Sequence, residues 1–136
     1  MKKGSLIIGS SLVAVIVILL LIIHPWSKKP FKYLSSNDIS SVSVRLSPPD
    51  QVFELSNDEI IEFTRILNSV VVYNKDSSHN QYCGQAVIYT ITKTDGTTLT
   101  VNSFNPFLII DGTGYKAKYE PCEELNALGN RISTGE

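Results

Sequence analysis

The stretch CGQAVIYTITKTDGTTLTVNSF, Cys83 to Phe104, decides the fold. Apolar side chains occupy every second position on both sides of the dipeptide Asp95-Gly96. Such alternation places them on one face of a strand, and Asp-Gly is a strong signal for a tight turn. The stretch therefore predicts an antiparallel hairpin with one apolar face. The positions on that face are Val87, Tyr89, Ile91, Leu99 and Val101.

The next segment raises the question of a phosphate-binding loop. The apolar run Phe107 to Ile110 is followed by Asp111-Gly112-Thr113-Gly114 and then by YKAKY. A phosphate loop needs glycines that lead from a strand directly into a helix, whereas a second alternating pattern follows Gly114. Tyr115, Ala117 and Tyr119 should face one way, and the intervening lysines should face the other. These residues predict a second hairpin.

Upstream of the hairpins, ISSVSVRL (Ile39 to Leu46) alternates as a half-buried strand. A Ser-Pro-Pro-Asp turn at residues 47–50 leads to a short second strand around QVFEL. Ser56 opens SNDE, which is typical of a capping box, and helical spacing continues to about Val71. A final helix is predicted from Pro121, and its apolar stripe comprises Cys122, Leu125, Leu128 and Ile132.

These elements predict one α+β domain over residues 39–136. The sheet should be mostly antiparallel with five or six strands, and two helices should pack on one face. One transmembrane helix should precede the domain. We expect a short tail at residues 1–5, the membrane helix at 6–23 and a juxtamembrane linker at 24–38.

The predicted membrane helix runs from Leu6 to Ile23, 18 residues without a charge. As a helix it would be about 27 Å long, close to the ~30 Å hydrocarbon core. The following HPWSKKPF offers no small-residue cleavage site, so we expect an uncleaved anchor. The two sides of the span carry equal numbers of positive charges: Lys2, Lys3 and the terminal amine precede it, and three lysines follow it. The charge count therefore does not decide the orientation. The very short tail and the cysteine usage favour a C-terminal domain outside the cell.

Charge is divided unevenly along the chain. Residues 1–32 carry five lysines and no acid, whereas the remainder has 7 basic and 13 acidic residues, a balance of 7 − 13 = −6. A folded domain that acidic would be repelled by phosphate backbones. Nucleic acid is therefore not an expected partner.

Cys83 and Cys122 are the two cysteines of the chain, and both lie in the domain expected to be exported. We expect a disulfide between them, which would close a loop of about 40 residues and contribute ~4 kcal/mol by chain entropy. The alternatives are two inert thiols, or a reactive cysteine that uses His79 as its base.

Other chemistry is sparse. Two histidines and two cysteines do not supply a metal site of recognised spacing, and no cofactor is expected. The longest polar segment is the loop from Asn74 to Tyr82, and loops on a rigid scaffold commonly carry binding. The candidate binding residues are His79, Asn80, Gln81 and Tyr82.

The segments FKYL, DISSVSVRLSPP, TITKTDGT and FLIIDGTGYKAKYEPCEELN resemble a loose set of uncharacterised small membrane-anchored proteins of Gram-positive bacteria. The resemblance implies an exported α+β domain behind one span. It implies no catalytic residue.

The expected function is that of a membrane-tethered, non-enzymatic extracytoplasmic domain. It would bind another protein or a surface component, such as a neighbouring membrane or surface protein. One alternative is a thiol enzyme or redox protein that uses Cys83 or Cys122 with His79. Another is a small-ligand sensor with a pocket between sheet and helices, lined by Tyr82, Tyr89, Tyr115 and Tyr119.

Overall fold

Seven strands and three helices are formed in the computed structural model, which describes residues 2–23 and 27–135. Side chains are described for residues 9–20 and 27–135. The elements in chain order are α1 (Lys2–Ile23), β1 (Ile39–Ser47), β2 (Gln51–Glu54), α2 (Asn57–Ser69), β3 (Val72–Lys75), β4 (Ala86–Lys93), β5 (Thr98–Phe104), β6 (Phe107–Ile110), β7 (Thr113–Ala117) and α3 (Tyr119–Thr134).

The strands form one antiparallel sheet in the order β2-β1-β4-β5-β6-β7-β3. This confirms the predicted α+β class, and both predicted hairpins are present. Asp111 and Gly112 form the tight turn between β6 and β7, with φ values of 47° and 85°. Hairpin turns of two residues favour such positive angles, so this segment is a turn rather than a phosphate loop.

The sheet has one strand more than the upper predicted number. The additional strand is β3, which follows α2 at the edge of the sheet. The sequence predicted a helix to about Val71, but α2 ends at Ser69 and Val72 pairs with Ala117 of β7. A four-residue edge strand is too short for its alternation to be distinguished from the end of a helix.

Both helices of the domain pack on the face of the sheet that carries the alternating apolar residues. The capping box of α2 is formed, because Ser56 Oγ accepts from the amide of Glu59 and the Glu59 carboxylate accepts from the amide of Ser56. The α2 side chains that enter the core are Ile60, Phe63, Ile66 and Leu67. Phe63 lies against Tyr89 of β4, with ring centroids 4.5 Å apart.

Helix α3 crosses the central strands at very close range. A Cβ atom on Gly129 would lie 2.6 Å from Val87 Cγ1 and 3.3 Å from Val44 Cγ2, so only glycine permits this approach. The hydroxyl of Tyr89 donates a 2.6 Å hydrogen bond to the carbonyl of Leu125. Helix α3 begins at Tyr119, two residues before the predicted start, so Tyr119 does not continue the pattern of β7.

The region predicted as a linker contributes to the domain from Lys28 onward. Lys28 forms a β-bridge with Val72, Phe31 is 7% exposed, and Ser36–Asp38 form a 3₁₀ turn before β1. The side-chain amide of Asn68 donates to the carbonyls of Phe31 and Leu34, at 2.6 and 2.9 Å. Residues 24–26 of the predicted linker lie outside the described residues.

The predicted membrane segment is part of α1. The side chains of residues 9–20 are all exposed. Counting only the described part of the chain, we find no helix that is both long and apolar enough to cross a membrane.

Substitution Tyr89→Phe should lower the free energy of unfolding by about 1–2 kcal/mol, because it removes a buried hydrogen bond to α3. Burial raises the pKa of Tyr89 far above its ordinary value of 10.0. Tyr89 therefore ionises at a lower pH in the unfolded chain than in the folded one, so the free energy of unfolding of the wild type should fall as pH rises above 10.0. Tyr89→Phe should lack this part of the pH dependence. Urea unfolding followed by circular dichroism at pH 7 and above pH 10 measures both effects.

The matched control is Tyr33→Phe, since Tyr33 is 87% exposed. It should change stability by less than about 0.5 kcal/mol. Equal effects of the two substitutions would contradict the role given to Tyr89.

Candidate recognition site

The face of the sheet opposite the helices is covered in part by the connection between β3 and β4. We call residues 76–85 the recognition loop. Gly114 of β7 makes its docking possible, because a Cβ atom there would lie 2.5 Å from the carbonyl oxygen of Asp76 and 2.7 Å from Nδ1 of His79. The amide of Asp76 donates to the carbonyl of Gly114 at 2.9 Å. The loop is thus in direct contact with the strand.

Asp76 organises the start of the recognition loop. Its carboxylate accepts from the amide of Ser78 at 2.8 Å, and Lys116 Nζ lies 3.9 Å from its second oxygen. Hydrogen bonds from the side chain and then the backbone of Ser78 hold the pKa of Asp76 below its ordinary value. The carboxylate therefore supports a 3₁₀ turn over Ser78–Gln81 and is engaged within the loop.

Apolar residues beneath the loop form a small cluster separate from the main core. Phe107 is 3% exposed and Ile109 is 8% exposed, although both lie on the face without helices. The ring of Tyr82 lies 5.7 Å from that of Phe107, and the ring of His79 lies 6.2 Å from it. The recognition loop is therefore held by aromatic contacts as well as by backbone hydrogen bonds.

A concavity of about 340 Å³ opens between the end of this loop, the turn between β5 and β6, and the side of α3. Aromatic and amide side chains dominate its wall. The residues that line it are Tyr82, Cys83, Gly84, Gln85, Phe104, Asn105, Pro106, Phe107 and Asn126.

Four buried side-chain polar atoms in the described part of the chain lack a hydrogen-bond partner, and all four belong to this region. Two are the side-chain oxygens of Asn105 and Asn126, which line the concavity. The third is His79 Nδ1, and the fourth is Asn102 Oδ1 on the same sheet face, in register with Ile109. Buried polar atoms are nearly always paired with protein groups or water in folded proteins, so these four atoms are candidates for pairing with water or with a ligand's polar groups.

The four predicted binding residues are contiguous, but the structure gives them different surroundings. His79 is half-buried against Gly114, whereas Asn80 and Gln81 are exposed on the outside of the turn. Tyr82 is 61% exposed and lines the concavity.

The predicted disulfide is not formed. Cys83 is an exposed free thiol and Cys122 is a buried free thiol, and the two are not at bonding distance. The reason is their position in the fold: Cys122 lies on the buried side of α3, where its carbonyl accepts from Ser103 Oγ at 3.1 Å, whereas Cys83 lies in the recognition loop. A bridge needs Cα atoms about 4.4 to 6.8 Å apart.

Among the described residues, no hydrogen bond joins His79 to either thiol, and His79 Nδ1 has no partner. Burial raises the pKa of the Cys122 thiol to about 11, which disfavours the thiolate. Within residues 27–135, no group of three or more His, Cys, Asp and Glu residues could hold a metal ion.

The tyrosines of the predicted sensor pocket do not meet in one cavity. Tyr89 is fully buried in the helix-side core, and Tyr115 is half-buried on that face. Tyr82 packs on Phe107 on the opposite face, and Tyr119 is 59% exposed at the start of α3.

Sequence reasoning missed the residues that the rest of the chain brings to the loop, namely Gln85, Phe104, Asn105 and Asn126. The dipeptide Asn105-Pro106 lies between two predicted strands and is itself a signal for an exposed turn. Asn126 carries no local signal, because only the packing of α3 brings it to the concavity.

Comparison with protein-family models, with curated proteins and with solved structures found no match to this chain. The chemistry of the site is therefore the basis for assigning a function.

Substitution Gly114→Ala should displace the recognition loop, because the added methyl group would overlap the Asp76 carbonyl and the His79 ring. Limited trypsin digestion at Lys75 should become several-fold faster. The control is Thr113→Ala, since Thr113 lies on the other sheet face. Equal cleavage rates in both variants would show that the loop does not depend on this contact.

The two thiols should differ strongly in reactivity. An alkylating reagent at pH 8 should modify Cys83 within minutes and leave Cys122 unmodified, because Cys122 is buried and its pKa is raised to about 11. Denaturation in urea should expose the second thiol. Intact mass before and after alkylation counts the modified sites. Two unreactive cysteines that become reactive only after reduction would contradict the structure.

Proposed function

We propose that this chain is a membrane-tethered, non-enzymatic domain that faces the outside of the cell and binds another protein of the membrane or surface. The observation that carries the proposal is the concavity beside the recognition loop. Tyr82 and Phe104 offer aromatic rings there, and Asn105 and Asn126 contribute amide side chains whose buried oxygens have no partner within the protein.

The chemistry of this wall favours recognition over catalysis. Aromatic rings with a few placed polar groups are characteristic of binding sites, and side-chain oxygens accept hydrogen bonds from peptide N–H groups or hydroxyl groups. The carboxylate beside the concavity is Glu123, whose Oε2 accepts from Asn105 Nδ2 at 3.4 Å. A neutral segment of a partner protein would cover the exposed ring of Tyr82 and, with a rotation of the two amide side chains, pair their oxygens.

The tether is proposed on two observations. Eighteen uncharged residues, Leu6 to Ile23, are followed by the tryptophan and lysines that are typical of a membrane interface. In α1, large apolar side chains of residues 12–20 are 47–63% exposed. A helix that is apolar on all sides requires an apolar environment.

The location can be tested by protease treatment of intact cells that express the full chain. The domain should be digested while an anchored stub remains. A domain that is protected in intact cells and degraded in lysates would place it in the cytoplasm and refute the outward orientation.

The binding site can be tested with a photo-reactive amino acid in place of Tyr82 in the full chain. Irradiated cells should yield a discrete cross-linked protein, identified by mass spectrometry. The matched control carries the same group in place of Ile61, which is 58% exposed on α2. The Tyr82 cross-link should disappear when Asn105 and Asn126 are both replaced by leucine.

Identical cross-linked products from the two positions would refute a specific site beside the recognition loop. Cross-links to non-protein surface material alone would refute the protein partner.

A further inference from the structure

A group of lysines gathers at the β3 edge of the sheet, away from the concavity. We call it the basic edge and define it as Lys28, Lys29, Lys75 and Lys118. All four are exposed. They come from three separate parts of the chain, so only the fold brings them together.

Backbone hydrogen bonds fix these lysines in place. Lys28 exchanges two bonds with Val72, at 2.8 and 2.9 Å, and thus extends the sheet beyond β3. The amide of Lys118 donates to the carbonyl of Val71 at 2.9 Å. Lys75 is the last residue of β3 and pairs with Tyr115. The positions of the charges are therefore set by the sheet rather than by flexible tails.

The basic edge differs from the arginines of the domain in its pairing, and Lys32 and Lys93 share its lack of a salt bridge with a described residue. Within residues 27–135, each of the three arginines forms a salt bridge, at distances of 2.6 to 3.0 Å. Lys116 approaches Asp76 at 3.9 Å. The four lysines of the basic edge form no salt bridge with a described residue. Two acids lie at the margin: Glu120 is two residues after Lys118, and Asp76 follows Lys75 but approaches Lys116.

A shallow groove of about 600 Å³ accompanies these charges. Lys28, Lys29 and Lys75 line it together with the half-buried rings of Tyr73 and Tyr115. Tyrosine has an apolar ring and a polar tip, a combination that is favoured at the headgroup level of a membrane.

The short connection between α1 and Lys28 indicates which partner the basic edge meets. Lys28 follows the end of α1 at Ile23 by five residues, which span at most about 17 Å when fully extended. If α1 crosses a bilayer, Lys28 stays within about two Debye lengths of its surface at physiological salt, and the sheet holds Lys75 and Lys118 beside it. Lysines near a membrane are attracted to anionic lipids. A free phosphate or an acidic protein would be attracted too, but neither is held there by the chain itself.

We propose that the basic edge docks on anionic lipid headgroups of the membrane that holds α1. Docking would fix the orientation of the domain, so that the recognition loop is presented at a defined angle rather than on a swinging tether. This inference rests on the proposed membrane tether, but it is independent of what the recognition loop binds.

The test uses the full chain reconstituted in lipid vesicles. A fluorophore is placed on Asn74→Cys in a Cys83→Ser background, since Asn74 is exposed within the groove and Cys122 is buried. Energy transfer to headgroup-labelled lipid should be about two-fold higher in vesicles with about 30% phosphatidylglycerol than in pure phosphatidylcholine. About 0.5 M NaCl should remove the difference, since it shortens the Debye length to about 4 Å.

Two charge-matched variants decide whether the basic edge is responsible. The pair Lys28→Glu and Lys75→Glu should abolish the lipid-dependent increase. The pair Arg45→Glu and Lys93→Glu changes the net charge equally but lies elsewhere, so the increase should remain. Energy transfer that is equal in both lipid mixtures, or equally reduced by both pairs, would overturn the proposal.

Alkaline extraction of the same vesicles distinguishes failure of the membrane tether from failure of the lipid docking. A chain that is released by extraction is not anchored, which would refute the tether and the docking together. A chain that stays in the vesicles without lipid-dependent energy transfer would refute the docking alone.

Discussion

Helices α2 and α3 cover one face of the sheet, so apolar side chains on the other face must be covered by another part of the chain. Most of the functional features of this protein follow from that constraint. Helices α2 and α3 both lie on the face that carries Tyr89 and its apolar neighbours. Within residues 27–135, neither α2 nor α3 covers the opposite face. Across β1, β4 and the start of β5 this face carries mainly short hydroxyl side chains that tolerate water, together with Arg45 and Ile88. From the end of β5 to β6 it becomes aromatic and apolar, at Phe104, Phe107 and Ile109. The hydroxyl residues are Ser41, Ser43, Thr90, Thr92, Thr98 and Thr100.

The recognition loop covers the apolar part of this face. Phe107 and Ile109 would be exposed if the connection between β3 and β4 were short, and burial of large apolar side chains stabilises a small domain by roughly 1.5–3 kcal/mol each. The loop covers them, and Gly114 lets its backbone and the His79 ring come close to the strand. A loop held in this way presents Tyr82 and its neighbours on a fixed base. The contacts that bury Phe107 and Ile109 therefore both stabilise the loop and hold the proposed binding surface in place.

The two proposed surfaces are separate in chemistry as well as in position. The recognition loop and the turn between β5 and β6 offer rings and amides, with little free charge. The basic edge offers four unpaired lysines on a domain that is acidic overall. Such a separation allows the domain to meet a membrane and a partner at the same time. Edge strands also tend to pair with other chains, and Lys28 together with the surrounding lysines protects the β3 edge against that.

The sequence by itself determined the α+β class, the two hairpins, the start of α2 and the division between an apolar N-terminal run and a folded domain. Each depends on local physics: period-two or helical spacing, positive-φ turn residues and a capping box. It also directed attention to the polar loop before Cys83. The tether and its orientation remain predictions from sequence.

Only the tertiary structure decided which residues meet. The edge strand β3 was too short to be recognised, and Tyr119 joined α3 because helix and strand compete at a boundary that propensity alone does not fix. The sequence analysis places Cys83 at the start of a strand and Cys122 in the final helix, yet the fold leaves Cys83 exposed and buries Cys122 on the inner side of α3. Asn126 reaches the concavity, and Lys28 reaches Lys75, through packing between distant segments. Side-chain periodicity describes each segment alone, whereas these contacts depend on how the segments are arranged in space.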